Sequence, residues 1–327
     1  MVENYGASSK CLGRPTATGS RRPSPLLDLT IDNITPNTNR INSQSNNARL
    51  IYLMTRLVTH LHDFARETRL STDEWMQAQL PRPVRPNQQR RQTCKKRRGA
   101  PDSTEGSVLG PFHTHDAPTL GNGSKMAYDP QGEPLFCLCT VKDRHGNPIP
   151  GVKIDIWETD SSGHYDVQHE GRDEPSERCV MVSDEKGMFW FECIKPVSYP
   201  IPHDGPVGKL LAQLGRHCWR PAHLHFMFEK EGWDHLITAL YVRGDPYETT
   251  DAVFGVKKSL IIDLDTVDKD IAQQYGVKEG ILYLKQDFVL VTEKETQELR
   301  DQNAREAIEK LGLKVKLVDH LPVPDLD

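Results

Sequence analysis

His223 and His225 stand two residues apart in the apolar run "AHLHFMF". Alternate residues of a β-strand face the same side. A strand here would therefore present both imidazoles on one face, with Leu224 and Phe226 on the other. Such a pair can supply two ligands to a metal ion, or it can be a buried hydrogen-bonded pair. The histidines alone do not identify a metal, and the pattern leaves both interpretations open.

The residues around this pair argue against several common metal sites. No cysteine stands at metal-ligand spacing nearby, which argues against structural zinc, and the chain has no H-E-x-x-H sequence of a zinc peptidase. An iron triad of two histidines and a carboxylate needs H-x-D or H-x-E, and "HLH" supplies neither. A second His-x-His, "HTHD" at 113–116, is predicted to be loop.

Two tyrosines are the other candidates for chemistry. Tyr165 ends "DIWETDSSGHY" and Tyr199 lies between prolines in "KPVSYPIP". A single tyrosine in such a context is more often a core or interface residue than a ligand. A phenolate is nevertheless a hard anionic donor, and ferric iron can remove a phenol proton whose free pKa is about 10. Two phenolates with two imidazoles would give a site that prefers ferric to ferrous iron.

Short β-strands are predicted to carry these residues. From residue 103 to residue 293, apolar runs alternate with turns rich in Gly, Asn, Asp and Pro, which is typical of an antiparallel sandwich or barrel. Neither a Gly-rich phosphate loop nor strand–helix alternation occurs, so nucleotide binding has no support. The seven runs are "LFCLCTV", "VKIDIWET", "CVMVS", "GMFWFECI", "AHLHFMF", "LITALYV" and "ILYLKQDFVLV".

The segments outside the β-rich region differ in character. Residues 1–26 are polar, lack the apolar core of a secretory signal and are expected to be a disordered leader. Residues 27–80 show helical spacing of apolar positions, and Ser71 with Glu74 forms a capping-box signature for a second helix. Residues 294–327 are expected to form a polar C-terminal helix and tail.

A basic, proline-rich run at 81–102 separates the helical and β-rich segments. Its density of Arg, Lys and Pro is incompatible with a packed helix or strand. A solvated linker is the favoured interpretation. A nuclear-localisation or polyanion-binding run and a wrongly joined exon are the alternatives.

Overall composition indicates a globular protein. The 327 residues are 36% hydrophobic and 27% charged, with a formal net charge of -5, so no general attraction to nucleic acid is expected. No run approaches the roughly 18 apolar residues of a membrane span. The seven cysteines show no disulfide spacing, and Cys137 and Cys139 are predicted to be buried thiols. A reduced, cytoplasmic protein fits these features best.

Together with their flanking residues, these motifs resemble the intradiol ring-cleaving dioxygenases. The resemblance is carried by "GEPLFCLCTVKDRHGNPIPGVKIDIWETDSSGHYD", "PVSYPIP" and "GRHCWRPAHLHF", and it covers about residues 26–80 and 103–292. It implies a mainly β protein, with an immunoglobulin-like antiparallel β-sandwich catalytic domain, an N-terminal α-helical dimerisation segment and a homodimeric assembly. It also implies one ferric ion per subunit and no organic cofactor. The implied iron ligands are Tyr165, Tyr199, His223 and His225.

The subgroup that the chain resembles most is hydroxyquinol 1,2-dioxygenase, on "SVLGPFHTHDAP", "VSYPIPHDGPVG" and "GDPYETTDAVFGVKKSL". The implied substrates are a catecholic small molecule and O2, and the implied reaction converts hydroxyquinol to maleylacetate in aromatic catabolism. Catechol cleavage to cis,cis-muconate is the alternative. Tyr199 would accept a substrate proton and Arg220 would stabilise developing charge. The residues implied to flank the aromatic ring are Val108, Leu109, Gly110, Pro111, Phe112, Ile201, Pro202 and Val253.

Two features depart from the family pattern. The run at 81–102 replaces helical sequence that carries pocket and dimer residues in relatives, and Ala239 stands where relatives often have Gln or His. A non-catalytic, prealbumin-like binding module is the alternative from another functional class, because such modules share the sandwich and its turn. They lack the second tyrosine and the His-x-His pair, so these residues favour an enzyme.

Overall fold

Seven of the β-strands form at the seven apolar runs singled out in the sequence, and six shorter ones lie between or after them. In chain order they are β1 (Pro134–Lys142), β2 (Lys153–Trp157), β3 (Arg178–Val182), β4 (Met188–Ile194), β5 (Tyr199–Pro200), β6 (Trp219–Arg220), β7 (His223–Glu229), β8 (Leu236–Val242), β9 (Ile261–Ile262), β10 (Asp265–Thr266), β11 (Leu282–Val289), β12 (Val315–Val318) and β13 (Leu321–Pro324).

The structure is a computed structural model. It describes residues 29–30, 33–68, 70, 102–171, 174–312, 314–318 and 320–325. The leader predicted at 1–26, the capping box at Ser71 and nearly all of the basic run at 81–102 lie outside the described residues.

Two sheets stack into the predicted sandwich. One has the strand order β3-β2-β7-β8-β9 and the other the order β10-β11-β1-β4. Alternate residues of each inner face meet in a core whose centre is aromatic, where Phe189, Phe226 and Phe288 are fully buried and in ring contact. Most pairs are antiparallel, whereas β1 with β11 and β8 with β9 run parallel. The mainly β prediction is confirmed.

Five helices lie outside the sheets in the described part of the chain. They are α1 (Ile34–Asn42), α2 (Ala48–Glu67), α3 (Pro206–Gln213), α4 (Lys269–Tyr275) and α5 (Glu293–Leu311). Asn47 is the N-cap of α2, and its side-chain oxygen accepts a hydrogen bond from the Leu50 backbone N–H at 3.0 Å. Among the described residues, no helix combines the length and apolarity needed to cross a bilayer.

The C-terminal segment contains more structure than the predicted helix and tail. Thr292 and Glu295 form a capping box that starts α5, and Gly312 ends it at a φ of 63°. The chain then forms an antiparallel hairpin of β12 and β13. Four-residue strands carry too little periodicity to be distinguished from a tail in the sequence.

Candidate functional site

The His-x-His pair lies at the start of β7, and both imidazoles face the same side, as predicted. The two Nε2 atoms are 3.1 Å apart. His223 and His225 are 3% and 1% exposed. Trp157, which is opposite His225 in the β2–β7 pair, stacks on its ring at 4.7 Å with an interplanar angle of 6°. This stacking fixes the plane of the His225 imidazole.

The hydrogen bonds of His223 determine its tautomer. Its Nδ1 lies 2.7 Å from the backbone carbonyl of Pro221, which can only accept, so Nδ1 carries the proton. Nε2 therefore has a free lone pair, to which Arg220 donates at 2.9 Å. Burial, and next to it the Arg220 charge, lower the pKa of both His223 and His225 well below the ordinary value. Both imidazoles are thus neutral, which is the form that binds metals.

The two tyrosines reach the same place from separate segments, Tyr165 from a loop and Tyr199 from the short strand β5. Tyr199 stands opposite Arg220 in the β5–β6 pair, and Tyr165 follows the turn after β2. Their hydroxyl groups are 3.1 Å apart. Gly163 permits this approach, since it has a φ of +83° and a Cβ there would lie 3.1 Å from the Cβ of Tyr199. Burial raises the pKa of the Tyr165 phenol well above its usual value.

The four side chains form one buried group of potential metal ligands. The Tyr199 and His223 rings lie 5.4 Å apart, which joins the phenol pair to the imidazole pair. Ligands about 2.1 Å from one ion and at right angles to each other are about 3.0 Å apart, close to the 3.1 Å that separates the atoms within each pair. The described residues contain no group of three or more His, Cys, Asp or Glu side chains placed to hold a metal. An ion bound here would take its further protein ligands from the phenols.

Arg220 places a permanent charge beside these donors. It is 2% exposed and donates to the Tyr199 hydroxyl at 3.2 Å. Its nearest counter-charge is Asp251, whose Oδ1 lies 3.3 Å from Nε. Burial lowers the pKa of the guanidinium, but Asp251 and the neighbouring phenols more than offset this, so the pKa of Arg220 lies above its ordinary value. The group stays charged at any working pH.

Three of the residues expected to flank an aromatic ring contact the donor group or the apolar residues around it. Phe112 stacks on Tyr165 with 4.5 Å between ring centroids. Leu109 packs on the cluster that contains Trp157, Tyr165 and Tyr199. Gly110 has a φ of +75°, and a Cβ there would lie 3.7 Å from Nε2 of His225. The backbone at Gly110 therefore lies directly against the His225 imidazole.

The remaining residues of that set lie on the loops that carry the site. Val108 follows Ser107, whose backbone N–H donates to the Ile237 carbonyl at 2.8 Å. Three of them are half-buried, namely Val108, Ile201 and Val253. Pro111 and Pro202 are exposed.

A buried ion pair that was not predicted from the sequence connects these loops. Arg178 on β3 makes a two-point contact with the carboxylate of Asp166, the residue after Tyr165. Its Nη1 also donates to the Phe112 carbonyl at 3.1 Å and to Thr114 Oγ1 at 2.7 Å. The pair thus joins the Tyr165 loop to the loop at 112–114. Nothing in the spacing of Asp166 and Arg178 signals this pairing.

Ala239, the departure noted in the sequence, lies directly opposite His225 in the β7–β8 pair. It is fully buried and packs with Tyr241, Val256 and Leu260. The small side chain leaves this position without a polar group. The nearest hydroxyl on the same face of β8 is that of Tyr241, two residues further along the strand.

Comparisons with known proteins agree with the fold. Two family models match the chain: Dioxygenase over residues 108–292 and Catechol dioxygenase N terminus over residues 47–79. An intradiol ring-cleavage dioxygenase of Aspergillus niger is 58% identical over 325 residues, covering 93% of this chain and 97% of the relative. A hydroxyquinol 1,2-dioxygenase of Rhodococcus opacus is 42% identical over 234 residues, covering 66% of this chain and 77% of the relative.

A solved structure gives the same picture. The crystal structure of hydroxyquinol 1,2-dioxygenase from Pseudomonas putida DLL-E4 superposes with a TM-score of 0.57 at 32% sequence identity, covering 80% of this chain and 99% of that one. The Dioxygenase model spans more than half of the chain, and the Aspergillus niger relative spans nearly all of it. The chain therefore belongs to the intradiol ring-cleaving dioxygenases, oxidoreductases that incorporate O2 into their substrate.

Proposed function

We propose that this chain is a hydroxyquinol 1,2-dioxygenase that converts hydroxyquinol and O2 to maleylacetate with one ferric ion per subunit. The observation that carries the proposal is the convergence of two phenols and two neutral imidazoles in one buried group. Relatives named hydroxyquinol 1,2-dioxygenase are 38% to 44% identical to the chain, whereas the Candida albicans catechol 1,2-dioxygenase is 33% identical. This difference favours hydroxyquinol over catechol.

The ligands of the ion are Tyr165, Tyr199, His223 and His225. Their chemistry fits ferric iron, because a phenol whose pKa is raised by burial ionises only beside a strong positive charge. The His223 tautomer already directs a lone pair to the centre of the group. No organic cofactor is required. Bound there, ferric iron would take up the substrate oxygens and withdraw electron density from the ring, which makes a ring carbon reactive toward O2.

Tyr199 receives a substrate proton at its Oη. Arg220 Nη1 donates to this hydroxyl at 3.2 Å and so fixes the position of the oxygen that would accept the proton. Arg220 has a second role, since its buried guanidinium stabilises negative charge that develops on the substrate during ring opening.

A flat apolar ring fits the space next to these groups. Leu109 and Phe112 form an apolar wall, and the Gly110 backbone lies against His225 without an intervening side chain. We place Val108, Pro111, Ile201, Pro202 and Val253 around the rest of the ring. An apolar lining would keep water away from the reacting carbon.

The chain is also proposed to act as a cytoplasmic homodimer that assembles through residues 27–80, the segment predicted from the sequence to be helical. The α2 helix supports this because its apolar side chains are turned outward: Tyr52, Leu53, Leu57, Leu61 and Phe64 are 39% to 57% exposed. Four of them recur every three or four residues and thus form one stripe. A second copy of the stripe would cover it.

Product identity tests the proposal. Purified protein is supplied with hydroxyquinol or catechol in buffer equilibrated with ¹⁸O2. The products are separated and identified by mass spectrometry. Maleylacetate carrying two labelled oxygens, formed faster than muconate from catechol, is the expected result. A higher kcat/KM for catechol would reassign the substrate. Failure to consume O2 with either diol, by protein that contains iron, would favour a binding module instead.

A further inference from the structure

Two buried groups hold the Arg220 guanidinium at Nε and Nη2, the two nitrogens with no hydrogen bond to a metal-ligand candidate. Asp251 Oδ1 lies 3.3 Å from Nε, and the Tyr241 hydroxyl lies 3.3 Å from Nη2. Asp251 and Tyr241 are 2% and 0% exposed. With Nη1 directed at Tyr199 and His223, all three nitrogens of Arg220 have a partner.

Asp251 links this arginine to a loop of the substrate pocket. Besides contacting Arg220, its carboxylate accepts from the Val253 N–H at 3.3 Å and from the Gly255 N–H at 2.8 Å. The backbone that presents Val253 is therefore folded around the same carboxylate. Removing the negative charge of Asp251 would loosen Arg220 and this loop together.

The hydroxyl of Tyr241 has a fixed hydrogen-bond direction. Ser107 Oγ donates its one proton to the Gly255 carbonyl at 2.8 Å, so at the 3.0 Å contact with Tyr241 it must accept. The Tyr241 proton is then used, and a guanidinium can only donate. Tyr241 Oη consequently accepts from Arg220, and the chain of donors runs from Arg220 through Tyr241 and Ser107 to the Gly255 carbonyl.

Gly255 shows how closely these groups pack. A Cβ at this position would lie 2.9 Å from Arg220 Nη2, 2.9 Å from the Tyr241 hydroxyl and 3.1 Å from Asp251 Oδ2. Each distance is shorter than a normal carbon contact. Glycine is thus required here because three polar groups surround its α-carbon. Alanine would push them apart without removing any of them.

We propose that Tyr241 and Asp251 are positioning residues that hold the Arg220 guanidinium against the reacting centre. The inference rests on the proposed function of Arg220. A lone pair that His223 gives to a metal ion cannot also accept from Nη1, so iron binding would free one N–H of Arg220 for another acceptor. The contacts of Asp251 with Nε and of Tyr241 with Nη2 would keep the guanidinium in place. Tyr241 supplies the polar contact on a face of β8 where Ala239 offers none.

The first test compares Tyr241→Phe with Tyr283→Phe. Both variants remove one hydroxyl from a buried tyrosine, and Tyr283 packs on Phe136 in the sandwich, away from Arg220. We expect Tyr241→Phe to retain full iron content and to lower kcat about 10-fold. Titration with hydroxyquinol in the absence of O2, followed by visible absorption, should give the same dissociation constant as wild type. Tyr283→Phe should match wild type in all three measurements.

A double-mutant cycle shows whether Tyr241 acts through Arg220. If it does, Tyr241→Phe lowers kcat in the wild-type background and has little further effect in Arg220→Ala. Equal fold losses in both backgrounds would overturn the inference. So would a Tyr241→Phe kcat equal to that of Tyr283→Phe.

Asp251 and Gly255 provide independent variants. Asp251→Asn keeps one oxygen that can accept from a loop N–H group, but it replaces the other oxygen with an NH2 group and removes the charge, so kcat should fall while iron content is kept. Asp234→Asn is the matched control, because Asp234 is a buried carboxylate paired with Arg300 on α5. Gly255→Ala should lower kcat although it removes none of the polar groups around Arg220, because the added methyl group would displace them. Unchanged kcat in both Asp251→Asn and Gly255→Ala would contradict the positioning role.

The two proposals fail in different ways. Wild-type protein that binds no iron, or opens no aromatic diol, would remove the proposed function before any variant is made. Wild-type protein that is active, with variants as active as their controls, would remove only the positioning role of Tyr241 and Asp251.

Discussion

Tyr199 and Arg220 face each other across a pair of strands of only two residues each, and the guanidinium donates to the phenol oxygen at 3.2 Å. Arg220 is also three residues before His223, so the short β5–β6 pair joins Tyr199 to the start of β7. Arg220 thereby orients the Tyr199 oxygen, which in the proposed function both binds the iron and accepts a substrate proton.

Tyr199→Phe separates these two roles. Three of the four donors remain, so we expect the variant to keep most of its iron. The proton acceptor is lost, which should lower kcat about 100-fold or more. Iron content is measured by atomic absorption and kcat by O2 uptake, with Tyr128→Phe, an exposed tyrosine, as control. Turnover at the wild-type rate would remove the base role.

Arg178→Met tests the buried pair that joins the Tyr165 loop to the Phe112 loop. It leaves the Asp166 carboxylate buried without its partner, which should lower the free energy of unfolding by about 3–5 kcal/mol. KM should rise, since the Phe112 carbonyl loses its donor. Urea unfolding measures the first effect. Arg243→Met, in an exposed pair with Asp263, should change the free energy of unfolding by about 1 kcal/mol or less. Equal losses of stability in both variants would contradict a larger contribution from the buried pair.

Leu57→Glu tests the dimer proposed at the exposed stripe of α2. Leu57 is 52% exposed in the single chain. A charge buried at a helix–helix interface is strongly unfavourable, so sedimentation velocity should show a monomer where wild type gives a dimer. Val182→Glu, at a similarly exposed position on the edge strand β3, should remain dimeric. Identical sedimentation of Leu57→Glu and wild type would move the interface elsewhere.

Glu158→Gln should change how stability depends on pH. Burial raises the pKa of the Glu158 carboxyl well above its usual value. Above about pH 4.3, the unfolded chain releases a proton that the folded chain retains, so wild-type stability falls as pH rises, by up to about 1.4 kcal/mol per pH unit. Glutamine removes this loss, and the stability gain of the variant should increase from about pH 5 to pH 7.

Urea unfolding at several pH values measures this effect in the iron-free protein. Glu133→Gln, at an exposed position, is the control. Parallel pH dependences for wild type and Glu158→Gln would show that the Glu158 carboxyl is ionised in the folded state.

The sequence predicts the elements of this fold better than the contacts between them. The seven apolar runs and the shared face of His223 and His225 follow from local periodicity, and both are observed. The pairing of Tyr199 with Arg220 could not be predicted from periodicity, because strands of two residues have none. Asp251 and Tyr241 were missed for a related reason: their importance depends on strand register and on a loop that returns to Arg220.

The resemblance to a family supplied what periodicity could not, namely which two tyrosines join the imidazoles. Tyr165 and Tyr199 are 34 residues apart in the sequence, and only the fold brings their hydroxyl groups to 3.1 Å. The hairpin of β12 and β13 gave no comparable signal, since neither strand alternates over more than four residues.

Anomalous X-ray diffraction at the iron absorption edge, from crystals of the purified protein, tests the central claim most directly. The account predicts one strong peak per chain, within bonding distance of Tyr165 Oη, Tyr199 Oη, His223 Nε2 and His225 Nε2. Iron bound elsewhere, or no peak between these four atoms in protein that opens the hydroxyquinol ring, would contradict it.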